Sequence, residues 1–152
     1  MTSVGRPGAP LLPEGYELRV ETPAADDYLR LRIEAGLSPK SAAGAALGLP
    51  NTLQGAIVRH GGAVVGMGRV VGDGGLFLQV VDIAVEPAHQ GRGLGTAIVG
   101  ALVARIRATA PDATHVSLLA DGEAHRLYAQ FAFEPTAPGS VGMAFVVNPL
   151  PE

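Results

Sequence analysis

Val80-Val81-Asp82-Ile83-Ala84-Val85-Glu86-Pro87-Ala88-His89-Gln90-Gly91-Arg92-Gly93-Leu94-Gly95-Thr96-Ala97 is the stretch that decides how this chain folds. It begins as an apolar, largely β-branched run, the composition of a strand covered on both faces. A short turn carrying Pro87 follows, then a loop rich in glycine, then the start of an apolar helix. Such a loop points several backbone N–H groups into one small space at a helix N-terminus. Unpaired amides and the positive end of the helix dipole bind phosphate or pyrophosphate there. A phosphorylated, nucleotide-like cofactor is therefore the first expectation. Arg92 adds a cation to the loop, and Thr96 puts a hydroxyl in the first helical turn. Two familiar phosphate loops fail on details. A P-loop needs a lysine before its Ser/Thr, and Gly95-Thr96 has none. The Rossmann pattern needs a third glycine where Ile98 stands.

Working outward, Leu76 to Val85 reads as a strand. Gly93 to Ala108 reads as a helix with Leu94, Ala97, Ile98, Ala101, Leu102 and Ile106 on one face, closed by Pro111. Upstream, Ala56–Arg59 and Ala63–Val71 form a hairpin around His60-Gly61-Gly62, and a second turn falls at Gly72-Asp73-Gly74-Gly75. Tyr16 to Glu21 alternates as a half-buried strand. Ala24 to Ala35 is helical, with Tyr28, Leu29, Leu31 and Ile33 as its apolar positions. A second, weaker helix spans Ser38 to Leu47, with Ser38 as its N-cap and Pro39 in its first turn. Downstream come a strand at Thr114–Leu119, a short helix at Glu123–Phe131 and a last strand at Gly142–Val147. The expected order is a strand, two helices, three antiparallel strands, a helix, a strand, a helix and a strand. Residues 1–14 form a loose arm, 15–148 one mixed α/β domain, and 149–152 a tail.

The totals bound the function. The chain has 152 residues and a net charge of −3; 47% of its residues are hydrophobic and only 16% are charged. That supports one domain with a sizeable core and excludes a disordered chain. A single lysine, Lys40, and no basic run argue against nucleic acid as a partner and against a polybasic membrane patch. The longest nearly apolar run, Leu94 to Ala104, falls short of the roughly 20 residues of a membrane span. Absence of cysteine removes disulfides, thiolate metal sites and thiol nucleophiles, and suits the cytoplasm. The four histidines, His60, His89, His115 and His125, lack metal-ligand spacing, so no metal site is expected.

Gln90-x-x-Gly93-x-Gly95 after this strand resembles the signature of the GNAT superfamily, the acetyl-CoA-dependent N-acetyltransferases. Leu127-Tyr128-x-x-Phe131-x-Phe133-x-Pro135 resembles that family's fourth-helix segment. Two departures stand out: Ala132 occupies a position where glycine is usual, and Ala120-Asp121 replaces the family's common asparagine after the fifth strand. The resemblance implies a central, mostly antiparallel sheet flanked by helices, with a cofactor cleft where the fourth and fifth strands splay apart. It implies acetyl-CoA as cosubstrate and no metal. Gln90, Gly91, Arg92, Gly93, Leu94, Gly95 and Thr96 would cradle its pyrophosphate. Ile83, Ala84 and Val85 would offer main-chain groups to its pantetheine arm, one amide polarising the thioester carbonyl. Tyr128 would protonate the departing thiolate, and an amine would attack without a covalent enzyme intermediate. It also implies pairing into a homodimer through the C-terminal strands.

Asp82 is the candidate base, because a carboxylate inside a central strand is costly unless paired or functional. Strict alternation turns it away from the face of Gln79, Val81 and Ile83 unless a bulge re-aims it. The segments around residues 30–53 and 134–142 carry no acidic cluster, which disfavours polycationic acceptors and leaves an amine of apolar or aromatic character. The expected activity is acetyl transfer to the primary amine of a small molecule. The alternatives are a non-catalytic acyl-CoA-binding or sensor module, and a protein or peptide N-acetyltransferase.

Overall fold

The computed structural model describes residues 12–152. The expected N-terminal arm lies almost wholly outside the described residues, although Leu12, at its end, packs against the core. The strands are β1 (Tyr16–Arg19), β2 (Gln54–His60), β3 (Ala63–Gly72), β4 (Phe77–Val85) and β5 (His115–Ser117). The helices are α1 (Ala25–Glu34), α2 (Ala42–Gly48), α3 (Leu94–Thr109) and α4 (His125–Ala129). The sheet runs β1-β2-β3-β4-β5. Its first four strands are antiparallel, and β5 returns parallel to β4 after the α3 crossover.

The sheet is apolar on both faces, and each face has its own helical cover. Val58, Val65, Val70, Leu78 and Val80 pack against Leu94, Ile98, Leu102 and Ile106 of α3. On the opposite face Ile57, Val64, Met67 and Ala84 pack with Tyr28 and Leu31 of α1, Ala45 of α2 and Leu49. The α3 cover comes close because Gly68 has no side chain. A Cβ there would lie 2.6 Å from Ile83 Cδ1 and 2.7 Å from Ile98 Cγ2.

Asp26 and Asp27 in the first turn of α1 and Arg32 in its last complement the helix dipole. The expected cap of the second helix is corrected. Ser41, not Ser38, is the N-cap of α2, its hydroxyl accepting the Gly44 amide at 2.9 Å. Ser38 instead receives Arg32. The turn at Gly72–Gly75 is held by Asp73, whose Oδ1 accepts the amides of Gly75, Leu76 and Phe77.

The expected last strand does not form. Residues 142–147 run without strand pairing, and Met143 and Phe145 are each 89% exposed. Their alternation is strand-like, but a strand needs a neighbour to pair with, and β5 is only three residues long. Among the described residues no helix is long and apolar enough to cross a membrane.

Candidate active site

The β4–β5 ladder spans only Phe77↔His115, Leu78↔Val116 and Gln79↔Ser117. Beyond Gln79 the two strands separate, and the outer edge of β4 from Val80 to Val85 has no strand beside it. This is the splay the family resemblance implies. The Glu86 amide donates to Val65 of β3 at 2.8 Å. Antiparallel alternation therefore turns the main-chain groups of Val85 away from β3 and into the gap. The side-chain amide of Gln90 donates to the Val85 carbonyl there at 3.0 Å.

The loop after β4 has the geometry of an anion cradle. Pro87–His89 forms one 3-10 turn, and Gly91 and Gly93 take left-handed φ values of 78° and 81°. Gly93 is the N-cap of α3, and no side chain caps the helix, so the amides of Leu94, Gly95 and Thr96 have no side-chain acceptor. A Cβ on Gly91 or Gly93 would meet nothing within 4 Å, so the space over the loop is open. These residues fit a pyrophosphate. Arg92 leans aside, its guanidinium carbon 6.0 Å from the centre of the Tyr16 ring.

The histidines that looked scattered in sequence partly converge. Tyr16 bonds His89 Nδ1 at 2.7 Å, and the His60 ring lies 4.4 Å from Tyr16 and 4.9 Å from His89. This aromatic knot braces the loop against β1 and β2. His115 and His125 remain apart from it on the exposed surface.

A bulge interrupts β4 where Gly68 faces both Asp82 and Ile83, and Asp82 takes φ 60°. The extra residue inverts the alternation. Ile83 and Val85 join the α3 side, while Asp82 turns to the α1 side beside Ala84. There Asp82 Oδ1 accepts from Arg32 Nη1 at 2.7 Å and from the Tyr28 hydroxyl at 3.0 Å, and Oδ2 accepts from Arg69 Nη1 at 2.8 Å. All three charged groups are buried: Arg32 and Arg69 are 8% and 7% exposed, and the Asp82 side chain is 6% exposed. Arg32 also donates to the Ser38 carbonyl and hydroxyl, and Arg69 to the Thr52 hydroxyl and the Gly48 carbonyl. Burial, and then the Asp82 charge, push the Tyr28 hydroxyl up to about 12, so it stays a donor. Sequence reasoning singled out Asp82 and missed these partners. Arg32 and Arg69 look like solvated residues of a helix and a strand until the bulge delivers a carboxylate between them.

Tyr128 of α4 packs its ring with Val99 and Val103 of α3 and meets Phe133 edge-on at 6.2 Å. Burial, with a smaller contribution from Asp121, raises its pKa above the usual tyrosine value. The Ala132 turn after α4 keeps a left-handed backbone, φ 68°, despite its Cβ. Tyr128 lines one cavity of about 600 Å³ with Tyr28, Arg32, Arg69, Asp82 and Ile83. The cavity thus joins the open edge of β4 to the buried ion cluster.

Comparisons with known proteins bear on identity. Residues 53–135 match the model of the acetyltransferase (GNAT) domain. A probable acetyltransferase of unknown function from meticillin-resistant Staphylococcus aureus shares 40% identity, with a TM-score of 0.83 over 87% of this chain and 99% of that one. A predicted acetyltransferase from Clostridium acetobutylicum, solved with acetyl-CoA, has the same fold at 16% identity, with a TM-score of 0.63 over 85% and 96% of the two chains. A histone acetyltransferase of Glycine max is 29% identical over 85 residues, 56% of this chain and 36% of that protein. The chain spans about a third of the length of the curated relatives it matches. With a family match across more than half its length and a full-length structural relative, this chain belongs to the GNAT acetyltransferase family.

Proposed function

We propose that this chain transfers the acetyl group of acetyl-CoA to the primary amine of a small molecule by direct attack. The observation that carries the reading is that Tyr128 and the open edge of β4 border one cavity. Its volume of about 600 Å³ lies within the roughly 300–1,000 Å³ typical of small-molecule sites, which favours a small acceptor over a protein. The cosubstrate supplies an activated acetyl thioester. Gln90 to Thr96 hold its pyrophosphate through loop and first-turn amides, with Arg92 at the rim. Ile83, Ala84 and Val85 line its arm, and one of their amides stabilises negative charge growing on the acetyl oxygen. Tyr128, kept protonated by burial, delivers its proton to the departing sulfur.

Asp82 enters as a fixed anion more than as a mobile base. Its oxygens already accept from Tyr28, Arg32 and Arg69, so taking a proton from the amine would break that set. In this reading it holds the bulge and the cavity wall, and the amine's proton leaves through water. The exposed apolar segment around Met143 and Phe145 supports pairing of two copies.

The test is release of coenzyme A from acetyl-CoA across a panel of amines, followed with a thiol reagent. The protein has no cysteine to contribute background. Amine-dependent release supports the reading. Saturable acetyl-CoA binding with no release on any amine overturns it in favour of a binding module or of a protein acceptor outside the panel.

A further inference from the structure

The lining of the cavity carries more positive than negative charge. Arg32, Arg69 and Lys40 supply the cations, and Asp82 and Asp121 the carboxylates. The imbalance is sharpest where water is excluded: Arg32 and Arg69 are both buried and share the single carboxylate of Asp82. A buried guanidinium with only a shared counter-charge is expensive, so a further anion beside the pair would be favoured. Nor are the donors exhausted. Arg32 uses its N–H groups on Asp82 and Ser38, and Arg69 on Asp82, Thr52 and Gly48. Each planar fork carries more N–H groups than these partners take up. A fork fixed by side chains on several elements is preorganised for a planar or tetrahedral oxyanion.

Building on the acetyl-transfer reading, we propose that the acceptor is an amine that also carries an anionic group, a carboxylate or a phosphate. That anion is seated against Arg32 and Arg69, with Lys40 at the cavity mouth. The amine then lies at the other end of the molecule, toward Tyr128 and the β4 edge. Asp82 serves this site as a positioning residue: it sets the two guanidinium planes without touching the acceptor. This acceptor differs from the apolar or aromatic amine that the sequence suggested, because the sequence did not reveal that both arginines turn inward.

The experiment compares ω-amino acids, ω-aminoalkyl phosphates and plain alkylamines of equal chain length, whose amines have similar basicity, as acceptors for the wild-type chain. The expected result is a kcat/KM at least about tenfold higher for one anionic series than for the alkylamines, carried mainly by KM. Which series leads tells carboxylate from phosphate. Arg69→Gln and Arg32→Gln should erase the preference while acetyl-CoA binding persists. Because those residues are buried, Lys40→Glu on the exposed rim is the control for folding, and it should reduce the preference several-fold without loss of Tm. Equal use of alkylamines and anionic amines, or a preference unmoved by all three variants, overturns the proposal and leaves acetyl transfer intact. Absence of release with every series is the separate failure of the acetyl-transfer reading.

Discussion

Tyr28 of α1 donates its hydroxyl to Asp82 of β4 across 3.0 Å, tying a helix to a bulged strand 54 residues away in sequence. The contact works only because the bulge turns Asp82 toward α1. It places a neutral donor beside a carboxylate that two arginines already share.

Removing the carboxylate should therefore be far worse than removing the hydroxyl. Asp82→Ala leaves Arg32 and Arg69 buried with no counter-charge, and a broken buried ion pair costs about 3–5 kcal/mol. Tyr28→Phe should cost only about 1 kcal/mol at neutral pH. Denaturant unfolding of both variants checks the order. A cost for Asp82→Ala no larger than for Tyr28→Phe would show that the cluster is open to water.

The same tyrosine predicts a pH dependence. Its pKa is raised from the ordinary 10.0 to about 12 in the folded chain, because burial and Asp82 disfavour the phenolate. The folded state thus holds this proton more tightly than the unfolded state. The stabilisation is complete below pH 10 and is lost as pH rises from 10 toward 12, by an amount on the order of 2 kcal/mol. Tyr28→Phe lacks this loss, so the stability gap between wild type and variant should shrink or reverse over that interval. A constant gap would refute the assignment.

Tyr128→Phe keeps the ring that packs on Val99 and Val103 and deletes only the proton donor. A thiolate is a good leaving group, so kcat should fall by about 100-fold, at the low end for a general acid, with the KM for acetyl-CoA little changed. Since burial raises the tyrosine pKa, the wild-type rate should show no loss from deprotonation of Tyr128 up to about pH 10. Unchanged turnover in the phenylalanine variant would reduce Tyr128 to packing.

Ala132 holds φ 68°, a backbone conformation that costs an L-residue about 1–2 kcal/mol. Ala132→Gly should relieve that strain. After the added entropy of the unfolded chain, a net gain of about 0.5–1 kcal/mol remains, visible as a higher Tm. A lower Tm would mean that the methyl group contributes packing worth more than the strain.

Met143→Asp combined with Phe145→Asp places charges on the exposed segment after Val141. If two copies pair there, light scattering should report a dimer for the wild type and a monomer for the double variant. Equal masses would separate the segment from assembly.

Most of the fold was legible because its elements announce themselves locally. The amphipathic α3, the hairpin turn at Gly61-Gly62 and the apolar β4 needed only periodicity and turn chemistry. The glycine loop was legible for the same reason. The ion cluster was not. Period-two reading puts Asp82 on the α3 side, and the bulge that reverses it depends on Gly68 being small and on arginines from two other elements. One signal was available: a lone carboxylate in an apolar strand demands partners, and Arg69 sits on the adjacent strand. The segment 142–147 failed in the opposite sense, because it has the pattern of a strand but no pairing edge within the chain.

The gap beside β4 also makes that strand uneven in its exchange with solvent. The Glu86 amide is locked onto Val65, whereas the amide of its neighbour Val85 faces the open cleft. In deuterated water, consecutive residues of one strand should therefore lose their protons at very different rates. A ligand lying along that edge would slow the fast residue and leave its neighbour as it was, so Val85 is a built-in reporter of whether the cleft is filled.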